Sequence, residues 1–223
     1  MEKYDVKKAL KPLYTATARD FTLVDVPPAQ YLAVDGHGNP NTAASYVQAV
    51  EALYAVSYSV KFHSKKELGR DYVVAPLEGL WSAEDTGAFT AGDKDSWDWT
   101  MMLGVPEWIT AETVAAVAGQ VAAKKDVPAL PLVRVETLSE GLCVQILHIG
   151  PYSGEGPVLA KLHGEFMPAN SLDFNGRHHE IYLSDPRRAA PEKLKTILRQ
   201  PVKPAVGVAA PVGGAAVFGT AKE

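Results

Sequence analysis

The strongest constraint on the fold is an order of elements that occurs twice along the chain. In each half, an alternating strand pattern ends at a glycine and is followed by a helical pattern and two further strand patterns. The matched segments are VDGHG (34–38) with HIGPY (148–152), DYVVAPLEG (71–79) with HHEIYLSDP (178–186), and WTMMLGVP (99–106) with KTILRQP (195–201). This repetition predicts an α+β fold of duplicated strand-helix-strand-strand modules with pseudo-twofold symmetry around a central cleft. Clefts between such halves are favoured ligand sites.

The same pattern divides the chain into three parts. Residues 1–18 are mixed and charged, and we expect an N-terminal arm that is a short helix or irregular. Residues 19–202 form the duplicated domain, with one half at about 19–126 and the other at about 131–202. Residues 203–223 are rich in Ala, Val, Gly and Pro with little pattern, which indicates a flexible C-terminal tail.

Three helices and several strands are predicted from local pattern. A helix of about five to six turns follows Gly38 and is capped by Asn41 or Thr42. A second helix spans 110–126 with Thr110 as its cap, and a third begins in SGEGPV with Ser153 as its cap. Strand patterns cover residues 71–82 and 96–109.

Composition and charge exclude several classes of function. The formal net charge is −4 and the basic residues are scattered, so no basic stripe for nucleic acid is present. The longest apolar runs, such as VAAVAGQVAA (114–123), are too short to span a bilayer, and the N-terminus has no apolar signal region. We therefore expect a cytoplasmic protein that binds neither nucleic acid nor membrane.

Cysteine and histidine usage indicates neither thiol chemistry nor a metal. The single Cys143 lies in the apolar run GLCVQILHI and is interpreted as a buried small hydrophobe. His178 and His179 are adjacent strand residues that face opposite ways, so they make a poor chelate. We expect no metal and no cofactor.

The strand pattern at 178–183 provides the central candidate residue. Ile181 and Leu183 fall on one face, whereas His178, Glu180 and Tyr182 fall on the other. A carboxylate between an imidazole and a phenol is unusual for core packing and suits a cavity that holds a ligand. An ordinary half-exposed sheet face with a solvated Glu180 explains the same pattern, so both interpretations stay open here.

Aromatic residues and a second carboxylate complete the set of candidates. Large rings suit the walls of a pocket for a flat apolar ligand, and core packing is the alternative for each tryptophan. The candidates for these walls are Trp81, Trp99, Trp108, Tyr152 and Tyr182. Glu78 in PLEGLW either lines the same cleft or caps the turn before Gly79, and the turn is slightly favoured.

These motifs resemble the GyrI-like superfamily, the effector-binding domain of multidrug-sensing regulators. The resemblance is carried by DGHGNPN (35–41), DYVVAPLEGLW (71–81), WTMMLGVPEWIT (99–110), GPY (150–152) and HHEIYLSDPRR…PEKLKTILRQPV (178–202). It implies two modules facing each other across a small-molecule pocket. In relatives, a buried Glu among aromatic walls receives cationic or polycyclic ligands, and that Glu maps onto Glu180.

The resemblance is strongest to stand-alone members of the superfamily. No helix-turn-helix with a basic surface precedes residue 18, so we do not expect this chain to bind DNA directly. Similarity in PLEGLW and HHEIYLSDPRR to cyclopropanoid cyclopropyl hydrolases implies a detoxifying enzyme. Other relatives inhibit gyrase or only sequester ligands, so a non-catalytic binding protein is the alternative.

The implied reaction assigns roles to two of the candidates. Opening an activated cyclopropane requires a base that deprotonates water and a donor that hydrogen-bonds the oxygen gaining charge. We assign Glu180 as the base and Tyr152 as the donor. Trp81, Trp99, Trp108, Tyr182, Glu78 and His178 are expected to bind the ligand. The expected partner is a small hydrophobic or polycyclic molecule, and the expected assembly is a monomer or a weak homodimer.

Overall fold

A computed structural model describes residues 3–84 and 93–205, and an antiparallel β-sheet of nine strands lies at the centre of this part of the chain. The strands are β1 (Thr22–Val26), β2 (Ala29–His37), β3 (Leu77–Ala83), β4 (Trp97–Gly104), β5 (Arg134–Leu138), β6 (Gly141–Ile149), β7 (Leu172–Phe174), β8 (His178–Tyr182) and β9 (Lys195–Pro204). The helices are α1 (Val6–Ala9), α2 (Ala44–Glu67), α3 (Ala111–Ala122), α4 (Gly156–Lys161) and α5 (Met167–Ala169), with a π-helical turn at Leu162–Phe166 between α4 and α5. The predicted α+β class is confirmed.

The order of strands across the sheet is β1-β6-β9-β8-β3-β4-β2-β5, and β7 pairs with the end of β9. The order is symmetric about its centre in the following sense. If β1, β2, β3 and β4 each change places with β5, β6, β8 and β9, respectively, the new order read backwards is the same as the original one. The central pair is β3 and β8, where the predicted halves meet. A duplicated domain predicts such an order, and the duplication itself and the boundaries of the halves remain predictions.

One face of the sheet, here called the helical face, is covered by the helices. Strand side chains alternate between faces, so the odd-numbered residues of β3 and β4 all lie on this side. The buried residues of α2 recur at spacings of three and four and pack against them. They are Ala49, Ala52, Leu53, Val56 and Val60. Beyond the central pair, Leu162 and Met167 pack on Val144 and Val202.

The opposite face, here called the arm face, is covered by the N-terminal segment. Leu13 packs there with Val26 and Cys143, and Cys143 is fully buried, as predicted. The Gln145 side chain donates a hydrogen bond to the Pro12 carbonyl (2.9 Å). The predicted arm therefore contains α1 and a short 3-10 helix at Lys11–Leu13, and it packs against one face of the sheet.

The third strand is shorter than its sequence pattern suggests. The pattern predicts a strand from residue 71, but β3 begins at Leu77. Between them, Tyr72 forms only an isolated bridge to Tyr4, and Asp71 forms an ion pair with Lys61 of α2 (2.9 Å). Pro76 has no N–H to donate to a neighbouring strand, which agrees with a sheet that starts after it.

Helix starts are predicted correctly in one case of three. Thr110 caps α3, because its hydroxyl accepts a hydrogen bond from Thr113 N–H (3.2 Å). The predicted cap of α2 is wrong, since Ala43 is the N-cap residue and no side chain caps it. The prediction of Ser153 as a cap is also wrong, because that residue lies in a 3-10 helix and α4 starts after Glu155.

The C-terminal boundary of the sheet lies later than predicted. β9 extends to Pro204, because Lys203 and Pro204 pair with Asp173 and Leu172 of β7. The remainder of the predicted tail, residues 206–223, lies outside the described residues. None of the described helices has the length and apolar character that a bilayer crossing requires.

Candidate functional site

The central strand β8 directs Glu180 into the helical face of the sheet. His179 and Ile181 are fully buried on the arm face, and the alternation places Glu180 on the other side. Its side chain is 13% exposed, which excludes the solvated alternative. Across the central pair, Gly79 lies opposite Glu180 and Trp81 lies opposite His178. Glu180 therefore sits where the two predicted halves meet.

A chain of hydrogen bonds orients the Glu180 carboxylate. The Tyr182 hydroxyl donates to Glu180 Oε2 (2.8 Å), and Trp81 Nε1–H donates to the Tyr182 oxygen (3.2 Å). On the other side, His178 Nε2 lies 3.6 Å from Glu180 Oε1. Among the described residues, neither ring nitrogen of His178 has a hydrogen-bond partner. The imidazole is thus available to a ligand that binds beside Glu180.

A second carboxyl, Glu155, lies next to Glu180 and was missed in the sequence. Glu155 is 5% exposed and also neighbours Thr196, which β9 places on the same face. Burial, followed by the negative charge of Glu180, raises the pKa of Glu155 to about 9. The site therefore holds a protonated Glu155 next to Glu180 at neutral pH.

Aromatic rings surround the two carboxyl groups. The rings of Tyr152 and Tyr182 meet edge to face at 5.6 Å between centroids. Tyr46, at the start of α2, stacks on Trp81 (6.3 Å) and meets Trp99 edge to face (5.2 Å). These side chains occupy the cleft predicted between the halves. Two surface depressions of about 540 and 630 Å³ lie elsewhere, at the end of α3 and between α2 and α3.

Tyr152 is the outermost ring of the group. It lies in a 3-10 helix (Tyr152–Gly154) and is 38% exposed. Burial, together with the negative charges of Glu155 and Glu180, raises the pKa of Tyr152 to about 12. Its phenol is consequently protonated at neutral pH and can donate a hydrogen bond to a ligand.

The structure places Glu78 away from this site, on the arm face. It is fully buried there, and its odd-numbered neighbours Gly79 and Leu77 point the other way. Tyr14 donates a hydrogen bond to Glu78 Oε1 (3.0 Å), and His179 Nε2 lies 2.9 Å from Glu78 Oε2. The predicted ligand-binding role and the predicted turn cap are both excluded by these contacts.

Glu78 belongs to a buried set of charges, here called the arm-face ion network, formed by Tyr14, Glu78, Glu140, His179 and Arg199. His179 Nδ1 contacts Glu140 (3.0 Å), and Arg199 donates to Glu140 (3.2 Å). Burial alone would lower the pKa of His179, but Glu140 and Glu78 raise it to about 9. Two acids are thus balanced by two cations, and Arg199 also binds the Leu13 carbonyl (2.7 Å). The network fixes the N-terminal arm to the sheet.

Two tryptophans take structural positions. Trp108 donates to Ser64 Oγ (3.0 Å) near the C-terminal end of α2 and packs against Tyr4 and the guanidinium of Arg70. It therefore lies at the opposite end of α2 from Tyr46, and the structure does not bring it to the carboxyl pair. Trp99 is 1% exposed, and its Nε1–H donates a hydrogen bond to the Gly38 carbonyl (3.2 Å). It packs against the edge of Tyr46 and is itself part of the core.

The structure thus brings together five of the eight candidates, namely Glu180, Tyr152, Trp81, Tyr182 and His178. The residues missed are Glu155 and Tyr46. Glu155 stands between two glycines directly before a helix, where an acid is ordinary because of the helix dipole. Its side chain makes no capping hydrogen bond to α4, which frees it for the cleft. Within the described residues, no group of three or more His, Cys, Asp or Glu is arranged to hold a metal ion.

Comparison with known proteins agrees with this geometry. The model of the GyrI-like small molecule binding domain matches residues 19–203. An uncharacterised conserved protein from Listeria innocua is 40% identical with a TM-score of 0.83, and the match covers 90% of this chain and all of that one. A hydrolase from Listeria innocua is 38% identical with a TM-score of 0.77 at the same coverage.

A more distant match shows the fold alone. The C-terminal domain of EcmrR is 11% identical with a TM-score of 0.55, and the match covers 83% of this chain and 98% of that domain. No protein of curated function matches this chain significantly.

Proposed function

This chain belongs to the GyrI-like small molecule binding domain family, and we propose that it hydrolyses the cyclopropane ring of cyclopropanoid compounds. The observation that carries the proposal is the inward-facing Glu180 carboxylate, held by Tyr182 and surrounded by aromatic rings. The similarity to two Listeria innocua hydrolases, both at 38% identity, supports an enzymatic role.

The side chains around Glu180 suit a flat conjugated ligand. Trp81, Tyr46, Tyr152 and Tyr182 supply faces and edges that stack on such a ligand, and stacking contributes about 0.5–1.5 kcal/mol per ring pair beyond area burial. Because these rings now contact each other, the ligand enters by displacing the outermost one, Tyr152. The bound ligand then excludes water other than the one held by Glu180, which strengthens electrostatic interactions in the site.

The reaction proceeds as attack by water on the strained ring. Glu180 accepts a proton from a water molecule while the water oxygen bonds to the ring CH2. The C–C bond to that carbon breaks, and its electron pair moves through the conjugated system to the carbonyl oxygen. Tyr152 donates a hydrogen bond to this oxygen as it gains charge. The proton taken up by Glu180 then passes to this oxygen, which regenerates the Glu180 carboxylate. The product is a phenol that carries a primary alcohol, and the sum of the reaction is the addition of one water.

The second candidate function is binding without conversion. Two adjacent acids among aromatic rings also suit a polycyclic cation, because ring faces and carboxylates both attract positive charge. A receptor or sequestering protein needs no base, so the two candidates differ in what Glu180 does to the ligand.

The test is turnover of a cyclopropanoid by Glu180→Gln protein. We expect the wild type to give a ring-opened product with the added mass of water, and we expect the variant to be slower by about 100-fold or more. Glu192→Gln, at an exposed position, serves as the matched control and should behave as wild type. Equal rates for Glu180→Gln and wild type would remove the base role, and binding with no product from wild type would favour the second candidate.

A further inference from the structure

Glu155 is a buried acid that does not cap the helix it precedes. It precedes α4, but its side chain makes no capping hydrogen bond. The side chain instead contacts the Thr196 hydroxyl and the Glu180 carboxyl on the helical face of the sheet. Its Oε1 is buried without a hydrogen-bond partner. A buried carboxyl oxygen left unpaired costs free energy that folding alone gives no reason to accept.

The local backbone aims Glu155 and Tyr152 at the same place. Glu155 N–H donates to the Tyr152 carbonyl (3.2 Å), which closes one turn of 3-10 helix. In a 3-10 helix, side chains three residues apart lie one above the other. Tyr152 and Glu155 therefore both face Tyr182 and Glu180, one from the rim of the cleft and the other from within it.

From this geometry we propose that Glu155 is the acid of the site, which delivers a proton to the oxygen that gains charge when the ring opens. The inference rests on the proposed hydrolysis. Tyr152 holds the oxygen by a hydrogen bond, and the O–H bond of Glu155 breaks as the new O–H bond of the product forms. Glu180 has meanwhile taken a proton from water. Transfer of that proton from Glu180 to the adjacent Glu155 restores both groups, so no other reactant is needed.

The charges around Glu155 fit this role. Burial and Glu180 on β8 favour its protonated form, while the Thr196 hydroxyl on β9 and the charge of Lys94 before β4 act against it. Tyr152 and Tyr182 also face it, and both phenols are held protonated, chiefly by burial. Glu155 accordingly keeps its proton at neutral pH and loses it only as the pH passes about 9.

The experiment compares Glu155→Gln with wild type on a cyclopropanoid. The glutamine keeps the shape and a hydrogen-bond donor but cannot release a proton. We expect its Kd for the ring-opened product, measured by quenching of tryptophan fluorescence, to stay within about twofold. We expect turnover to fall by about 100-fold or more. Glu165→Gln, an exposed position on the π-helical turn that follows α4, is the control expected to match wild type.

A pH profile and an infrared spectrum separate this role from a structural one. The wild-type rate should decline as the pH passes about 9, and the residual rate of Glu155→Gln should lack that decline. At neutral pH, the wild type should show a carboxylic acid C=O band that is absent from the variant. The absence of this band from wild type, or unchanged turnover in the variant, overturns the assignment while leaving Glu180 as the base. An inactive wild type overturns the proposed hydrolysis and the role of Glu155 together.

Discussion

Replacement of Glu78 by glutamine tests whether the arm-face ion network stabilises the fold through the charge of His179. An unfolded histidine has a pKa near 6.5, whereas Glu140 and Glu78 raise that of His179 to about 9. At about 1.4 kcal/mol per pKa unit, this shift corresponds to about 3 kcal/mol of stability. Since the folded pKa is the higher one, this contribution is complete below pH 6.5 and is lost as the pH rises through 9.

Glutamine keeps the shape of Glu78 and removes one of the two negative charges that hold the proton. Its amide oxygen can still accept from His179, and its NH2 group then donates to the Tyr14 oxygen in place of the bond that Tyr14 donates to Glu78. Glu140 is the stronger partner, so we expect the variant to lose the smaller part of the contribution, on the order of 1 kcal/mol at pH 6. The difference between the two proteins should shrink to near zero above pH 9, because wild type has then lost the charge as well. Glu155 titrates in the same interval in both proteins, and its effect therefore cancels.

The assay is urea unfolding of wild type and Glu78→Gln at several pH values from 6 to 9.5, with free energies of unfolding from linear extrapolation. Glu192→Gln, exposed and outside the network, should show no pH-dependent difference from wild type. A difference in free energy of unfolding between wild type and Glu78→Gln that stays constant across this pH range would refute the argument. It would show that the protonation of His179 does not influence stability. NMR titration of the His179 ring in wild type then gives its pKa directly.

Two further predictions concern glycines that lie against aromatic rings. A Cβ at Gly36 would lie 2.0 Å from Cη2 of Trp99, so Gly36→Ala should lower the free energy of unfolding by about 1–3 kcal/mol or more. Gly119 lies in α3 with open space around it, so Gly119→Ala should instead raise the free energy of unfolding by up to about 1 kcal/mol. Thermal melts that rank the two variants the other way would contradict this prediction. A Cβ at Gly79 would lie 3.1 Å from the Tyr182 hydroxyl and 3.0 Å from Trp81 Nε1, so Gly79→Ala should displace Tyr182 from Glu180. Fluorescence titration with a cyclopropanoid should show binding weakened several-fold, and unchanged affinity would show that the Tyr182–Glu180 contact does not shape the site.

The sequence predicts the position of Glu180 because a strand has a strict two-residue repeat. Once HHEIYL is assigned to a strand with Ile181 in the core, Glu180 must face the other way. The same repeat applied to β3 excludes Glu78 from the site around Glu180. Glu78 lies three residues from Trp81 and therefore on the opposite face of the sheet from Trp81. Trp108 is different, because Pro106 ends the strand pattern and no repeat relates it to Trp99.

Other features depend on pairings that leave no local pattern. The α+β class follows from the order of elements, but the pairing of β1 with β6 and of β2 with β5 joins residues far apart in the chain. Glu155 lies in a segment whose composition also fits an ordinary helix start. Only the lack of a capping hydrogen bond and the proximity to Glu180 distinguish it. Its role is set by tertiary contacts that a sequence does not display.

The exchange of outer strands between the two sides of the sheet has a consequence for synthesis in the cell. Among the described strands, β1 pairs only with β6, and the Thr22 hydroxyl donates a hydrogen bond to the Gln145 carbonyl, 123 residues later in the chain. During synthesis on the ribosome, the first predicted half therefore emerges before β6, the strand with which its own β1 pairs, has been translated. Assembly has to wait for the second half, and two separately expressed halves would each lack an edge that only the other supplies.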